Sequence, residues 1–238
     1  MIDARGIAVL IAFAATCILA ARARPRWLRI SAHVLMLGVA AGLFLHVIPG
    51  FNNPRLVTEA MLSPDAVPYT KYLNVDKGAA GLLLLALYPT DVVMRDEGWR
   101  HLGDFTWRFL LLVAMVIVLS LAFGYVRWDP KLPSWWMPWL WSTIVLTALP
   151  EEALFRGVLQ TALARWWRRD TLAAIVAGLA FGLAHIAGGW TYVVLASAAG
   201  IGYGLIFAST GSISCAMLAH AGLDAVHFFL FTYPALRT

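Results

Sequence analysis

The sequence predicts an all-α protein, a polytopic transmembrane helical bundle of about eight helices. Three observations carry that prediction. Of its 238 residues, 61% are hydrophobic and 13% charged, against roughly 45–50% and 25% in soluble domains. Apolar runs are spread over the whole length with no repeat at a fixed period. Arginines gather at the ends of those runs, where positive-inside sorting puts them.

A membrane-spanning helix needs about 20 mostly apolar residues, with about 17 to 25 tolerated. Eight runs are candidates at or near that length: Gly6–Ala21, Ile30–Ile48, Gly78–Val93, Phe109–Val126, Trp135–Ala164, Leu172–Ile186, Thr191–Ala208 and Ile213–Phe231. The first has the length of a signal peptide, but Arg22, Arg24, Arg26 and Arg29 follow it directly and favour a retained anchor. The third is interrupted by Pro89 and Asp91.

Basic residues are densest in the first, third and fifth connections, Arg22 to Arg29, Arg95 to Arg108 and Arg165 to Asp170. The positive-inside rule faces these to the cytoplasm and leaves both termini outside if all eight runs span. The second connection, Phe51 to Lys77, reads as a structured external loop whose Phe51, Tyr69 and Tyr72 pack on the bilayer surface or cap the bundle. The chain thus divides into N-terminal helices over 1–134, with that loop at 51–77, and a second set of helices over 135–232, all in one integral membrane unit.

Eleven tryptophans, with Trp27, Trp107, Trp128, Trp135, Trp136, Trp166 and Trp167 at run ends, fit an interfacial belt. Cys17 and Cys215 lack metal or redox spacing and read as small buried hydrophobes. The formal charge of +5 lies at run ends, so no nucleic-acid partner is expected.

A charged group at mid-bilayer costs at least ~2.5–3.5 kcal/mol on insertion scales, which makes it a functional candidate. Three places qualify. In Leu149-Pro150-Glu151-Glu152-Ala153-Leu154-Phe155-Arg156, Glu152 and Arg156 are four apart and can pair on one face. Glu151 lies about 100° round the helix, without a local partner. In Phe181-Gly182-Leu183-Ala184-His185, the small residues Gly178, Gly182 and Ala184 admit a close neighbouring helix. Glu151 and His185 are each 14 residues from the connection at 165–171, hence each about 21 Å up at ~1.5 Å per residue. In the last run His220, Asp224 and His227 share a face at spacings of four and three. His227 reads there as a packing residue.

Two imidazoles and two carboxylates, from Glu151, His185, His220 and Asp224, suit one kind of work. A carboxylate in a low-dielectric site can act as general base toward a bound water. Histidines can hold that water, stabilise an oxyanion or ligate a metal. The expected chemistry is hydrolysis of a carbonyl substrate, foremost a peptide bond, and no serine or cysteine stands in a nucleophile setting.

The segments EExxxR, FxxxH and HxxxD, in that order on separate predicted helices, resemble the CPBP (Abi) family of intramembrane proteases, which includes the type II CAAX prenyl endopeptidases. The resemblance covers roughly Trp135 to Phe231. It implies that Glu151 activates the water, His185 assists, Glu152 and Arg156 form a supporting ion pair, and His220 with the residue four later stabilises the oxyanion. CAAX endopeptidases carry Asn there, whereas this chain has Asp224. An ionised carboxylate cannot donate a hydrogen bond, so Asp224 is protonated, orients His220 or binds a metal. Family members have been described both as metalloproteases and as metal-independent glutamate proteases. In the metal reading Glu151, His185 and His220 hold a divalent ion such as zinc, with Asp224 as an optional fourth ligand. The metal-free reading is preferred, since two acids more readily hold a water than complete a tight tetrahedral site.

The expectation is therefore a glutamate-dependent intramembrane endopeptidase in a bacterial inner membrane, acting on a membrane-anchored peptide or protein, with no other cofactor. A groove along Gly200, Gly202 and Gly204 is expected to admit substrate sideways. The rivals are a proton-coupled transporter, for which no paired broken helices are found, and an inactive peptide-binding or immunity relative.

Overall fold

A computed structural model describes residues 2–88 and 102–237. Among the described residues the helical segments group into eight, and a two-stranded hairpin is added between the second and third. Helices α1 (Ala4–Arg22) and α2 (Arg26–Phe44) form an antiparallel pair joined at Pro25. The Asp3 carboxylate caps α1 by accepting from the Arg5 and Gly6 amides at 2.8 and 3.0 Å. Strands β1 (Arg55–Ala60) and β2 (Tyr69–Tyr72) pair antiparallel with Val57 opposite Lys71. Helix α3 (Val75–Leu87) follows at once. The remainder of the third expected span, with Pro89 and Asp91, and most of the connection from Arg95 lie outside the described residues. Helix α4 (Leu102–Ala122) takes in residues ahead of its apolar run, Trp107 and Arg108 among them.

The long α5 covers 136–167 and is not a plain α-helix. Wide turns interrupt it at Ile144–Ala148 and Ala153–Gln160, either side of Leu149–Glu152. Their closing amides reach back five residues, Leu149 N–H to Ile144 O and Thr161 N–H to Arg156 O. Pro150 has no N–H to close an ordinary turn, and such π-bulges re-aim the side chains around it. Helices α6 (Asp170–Leu183), α7 (Trp190–Thr210) and α8 (Ile213–Leu230) complete the bundle.

Five helices, α1, α2, α4, α7 and α8, are long and apolar enough to cross a membrane by length and composition, and α6 is a shorter apolar helix. Only 17% of the α4 window is buried inside the protein. The rest, including Leu110, Leu111 and Val118, faces outward, as a lipid-bathed helix requires and a soluble one does not tolerate. The protein is a helical membrane bundle.

Two apolar clusters flank α5. One joins α1, α2 and α3 through Phe13, Met36, Leu43 and Leu84, with Ala153 and Val158 of α5. The other joins α4, α6, α7 and α8 through Leu112, Phe181, Tyr203 and Leu223, with Phe155 of α5. The charged segment of α5 thus stands between them. Chain ends gather at one end of the bundle. Ile2 bridges Phe51, Ala66 bridges Leu236 and Trp128 bridges Phe231. The hairpin caps this end: the Trp139 indole donates to Tyr69 Oη at 3.1 Å.

The expected groove along α7 is filled at Gly200 and Gly204, while Gly202 lines an apolar cavity of about 150 Å³ against α4. A Cβ on Gly200 would lie 3.0 Å from the Gly178 carbonyl oxygen, and one on Gly204 would lie 2.8 Å from Gln160 Oε1. These glycines let α6 and α5 approach the α7 backbone, so they serve packing rather than entry.

Candidate active site

Each polar residue of the site is positioned by a local feature of its helix. Between the two wide turns of α5, Glu151 and Glu152 are 4% and 0% exposed. Glu152 faces α7 and α8. Its Oε2 lies 3.0 Å from Arg156 Nε, a charge pair not aligned as a hydrogen bond. Arg156, also fully buried, donates through Nη2 to the Gly200 carbonyl at 2.6 Å and lies over the Phe181 and Tyr203 rings. The other oxygen, Glu152 Oε1, is 2.8 Å from His220 Nδ1. Tyr203 stacks on the His220 ring, with centroids 4.7 Å apart.

That clamp decides which nitrogen of His220 meets Glu151. With Nδ1 engaged by a carboxylate, Nε2 points to Glu151 Oε2 at 3.7 Å and to Asp224 Oδ2 at 3.7 Å. His185 is held the same way by a different device. It lies just beyond the end of α6, and its Nδ1 is 2.7 Å from the Phe181 carbonyl, which can only accept. Nδ1 therefore carries the proton, and in the neutral ring Nε2 presents its lone pair. Nε2 lies 3.9 Å from Glu151 Oε2.

The structure thus brings Glu151, His185, His220 and Asp224 together, with Glu152 and Arg156 behind them. They line a cavity of about 110 Å³ with Phe181, Tyr192 and Tyr203, room for several waters or a short stretch of peptide. His227 lines it too, with Nε2 on the Thr232 carbonyl at 3.2 Å and its ring against Tyr233.

One partner was missed by the sequence reading. Lys77, in the first turn of α3, places Nζ on Glu151 Oε1, with the two side chains 12% and 6% exposed. The N-terminus of α3 is itself braced: buried Asp76 accepts from Asn53 Nδ2 at 2.9 Å and lies 2.8 Å from His46 Nδ1. The sequence signal was available, because Lys77 follows the same rule as Glu151, a charge against an apolar run. Starting that run at Gly78 assigned Lys77 to the loop.

The donor set does not fit a metal as placed. Lys77 already sits on Glu151, and the 3.7 and 3.9 Å spacings exceed the ~3.3 Å edge of a tetrahedron with zinc bonds of ~2.0–2.1 Å. Among the described residues no group of His, Cys, Asp or Glu has the arrangement of a metal site.

Comparison with known families gives a match over the second part of the chain. Residues 133–226 match the family model described as type II CAAX prenyl endopeptidase Rce1-like. The chain carries an Rce1-like segment. No curated protein and no solved structure matches it. The match covers residues 133–226 of the 238, and that segment is similar to the type II CAAX prenyl endopeptidases. Glu151, Glu152, Arg156, His185, His220 and Asp224 all fall inside the Rce1-like segment, whereas Lys77 and the hairpin lie before it.

Proposed function

We propose that the chain hydrolyses a peptide bond of a membrane-anchored peptide or protein with a water activated by Glu151, in a bacterial inner membrane. The membrane assignment rests on the small size and the family resemblance. The observation that carries the mechanism is the spacing around Glu151 Oε2. His185 Nε2 at 3.9 Å and His220 Nε2 at 3.7 Å are too far for direct hydrogen bonds and suit one water shared among them.

In this reading Lys77 holds Glu151 Oε1, so Oε2 is the oxygen that takes the proton. The water oxygen attacks the scissile carbonyl carbon, its proton passes to Glu151, and the carbonyl oxygen becomes an oxyanion. His220, protonated on Nε2, donates to that oxyanion. Glu152 on Nδ1 and Asp224 beside Nε2 supply the negative charge that accompanies its imidazolium. Asp224 thereby orients and compensates His220, where the amide of the CAAX endopeptidases would donate directly. The C–N bond breaks as the proton held by Glu151 passes to the leaving amine. His185 holds the water through its Nε2 lone pair.

The Glu151→Gln variant keeps an acceptor for Lys77 and removes the base. It is expected to lower cleavage of a peptide library by about 10²- to 10⁴-fold while remaining folded and inserted. Unchanged proteolysis by that variant refutes the mechanism. Proton flux in liposomes without proteolysis by the native chain would favour the transporter instead.

A further inference from the structure

The two ends of the bundle differ in charge and in how they are closed. At one end lie the turn from α1 to α2 and the turn from α5 to α6. Helix α3 ends on that side as well: Tyr88, its last cap, places Oη 2.9 Å from His33 Nε2 of α2, within electrostatic reach of Arg29 and Arg165. At the other end lie the hairpin, Ile2, Leu236 and the connections 123–135 and 184–189. The turns from Arg22 to Arg29 and from Arg165 to Asp170 hold seven arginines in 14 residues, with Asp170 as their one acid. On the hairpin side, 123–135 and 184–189 hold two basic residues in 19, Arg127 and Lys131, each beside an aspartate, Asp65 and Asp129. The 30 residues of 45–74 add Arg55 and Lys71. Lysine and arginine density in short connections selects the end that stays in the cytoplasm, and acids count for little. That rule assigns the arginine end to the cytoplasm.

The chamber around Glu151 communicates with the opposite end. Glu151 is met by Lys77 from the first turn of α3 and by His185 from just beyond the end of α6. On the hairpin side both helices therefore stop at the level of Glu151. Beyond them is a second cavity of about 650 Å³, which shares Tyr125, Thr147, Tyr192, Asp224 and His227 with the chamber. Phe123 and Trp190 on its wall are 51% and 71% exposed, so it reaches the surface there. Toward the arginine end α5, α6 and α7 close on one another. Arg156 and Gln160 donate to the Gly200 and Gly204 carbonyls at 2.6 and 2.9 Å, and a Cβ on Gly178 would lie 2.5 Å from the Ile201 amide nitrogen. A peptide in the cytoplasm would meet this packed end.

We propose that the chamber opens on the non-cytoplasmic face of the membrane and receives its peptide from that side. The substrate is then a membrane-anchored protein or peptide whose scissile segment has already crossed the bilayer, and the step that supplies it is translocation. The orientation stands on charge and packing alone; its meaning for the substrate rests on the peptidase reading given above.

The orientation is tested by labelling the full-length chain in a bacterial inner membrane with a membrane-impermeant maleimide. Cys17 and Cys215 are buried, and the native chain serves as the unlabelled background. Thr191→Cys puts a thiol on the wall of the larger cavity, and Asp170→Cys puts one at the arginine end without removing an arginine. Thr191→Cys is expected to label in spheroplasts and to lose that labelling in sealed inverted vesicles, with Asp170→Cys behaving in the reverse way. Leu132→Cys, 69% exposed in the connection 123–135, reports on the hairpin side should Thr191→Cys not fold. The opposite pattern, or labelling of both positions from one side, overturns the orientation. The side of entry is read by adding a membrane-impermeant peptide library to the same two preparations of the native chain. Cleavage is expected with spheroplasts and its loss with inverted vesicles; cleavage from the cytoplasmic side alone overturns the proposed entry. The expected labelling without cleavage from either side would refute the peptidase reading and leave the orientation standing.

Discussion

Replacing Arg156 by Met tests whether the clamp behind His220 is held by charge. Arg156 and Glu152 are both fully buried, so removing the guanidinium leaves a carboxylate with His220 Nδ1 as its remaining close partner. The variant also loses the hydrogen bond to the Gly200 carbonyl and the contacts over Phe181 and Tyr203. Breaking a buried pair from one side destabilises by about 3–5 kcal/mol. In a chain of this length that corresponds to a fall in Tm of roughly 6–20 °C. Methionine is close in volume, so the loss reports charge rather than a cavity. Adding Glu152→Gln removes the stranded carboxylate and is expected to restore most of the lost stability. It is not expected to restore cleavage, because His220 then lacks the anion that balances its imidazolium. The assay is thermal unfolding in one detergent, with cleavage of the peptide library measured beside it. An Arg156→Met variant within about 1 kcal/mol of the native chain, where breaking a buried pair should cost several times that, would refute the reasoning. A double variant no more stable than the single one would do the same.

Lys77→Met frees Glu151 Oε1 and lets the carboxylate turn away from the two imidazoles. Turnover is expected to fall about 100-fold, the scale of a 1 Å misplacement, with Lys77→Arg retaining part of it; equal rates for the two variants would exclude a role for the positive charge. Gly178→Ala places a Cβ 2.5 Å from the Ile201 amide nitrogen and should destabilise the α6–α7 contact by about 1–3 kcal/mol, measurable as a lower Tm. Cleavage is expected to survive exhaustive treatment with a chelator, and its loss followed by recovery with zinc would revive the metal reading.

Membrane residence and helix count were legible in composition, because a helix that crosses lipid must be apolar along most of its length. The candidate chemistry was legible for a related reason. Glu151, His185, His220 and Asp224 stand out only where ionisable groups are expensive, and equal distance from one connection put the first two at one depth. Tertiary structure decided what the sequence could not. Lys77 comes from a segment 74 positions before Glu151 in the chain, and linear spacing says nothing about such a contact. The direction of each imidazole is set by a hydrogen bond at its far nitrogen, to Phe181 in one case and Glu152 in the other. Gly200 and Gly204 looked like a groove in one dimension and are close helix contacts in three, since a missing side chain means space only when no neighbour fills it. Helical periodicity assigns residues to faces; which faces meet depends on how the whole bundle packs.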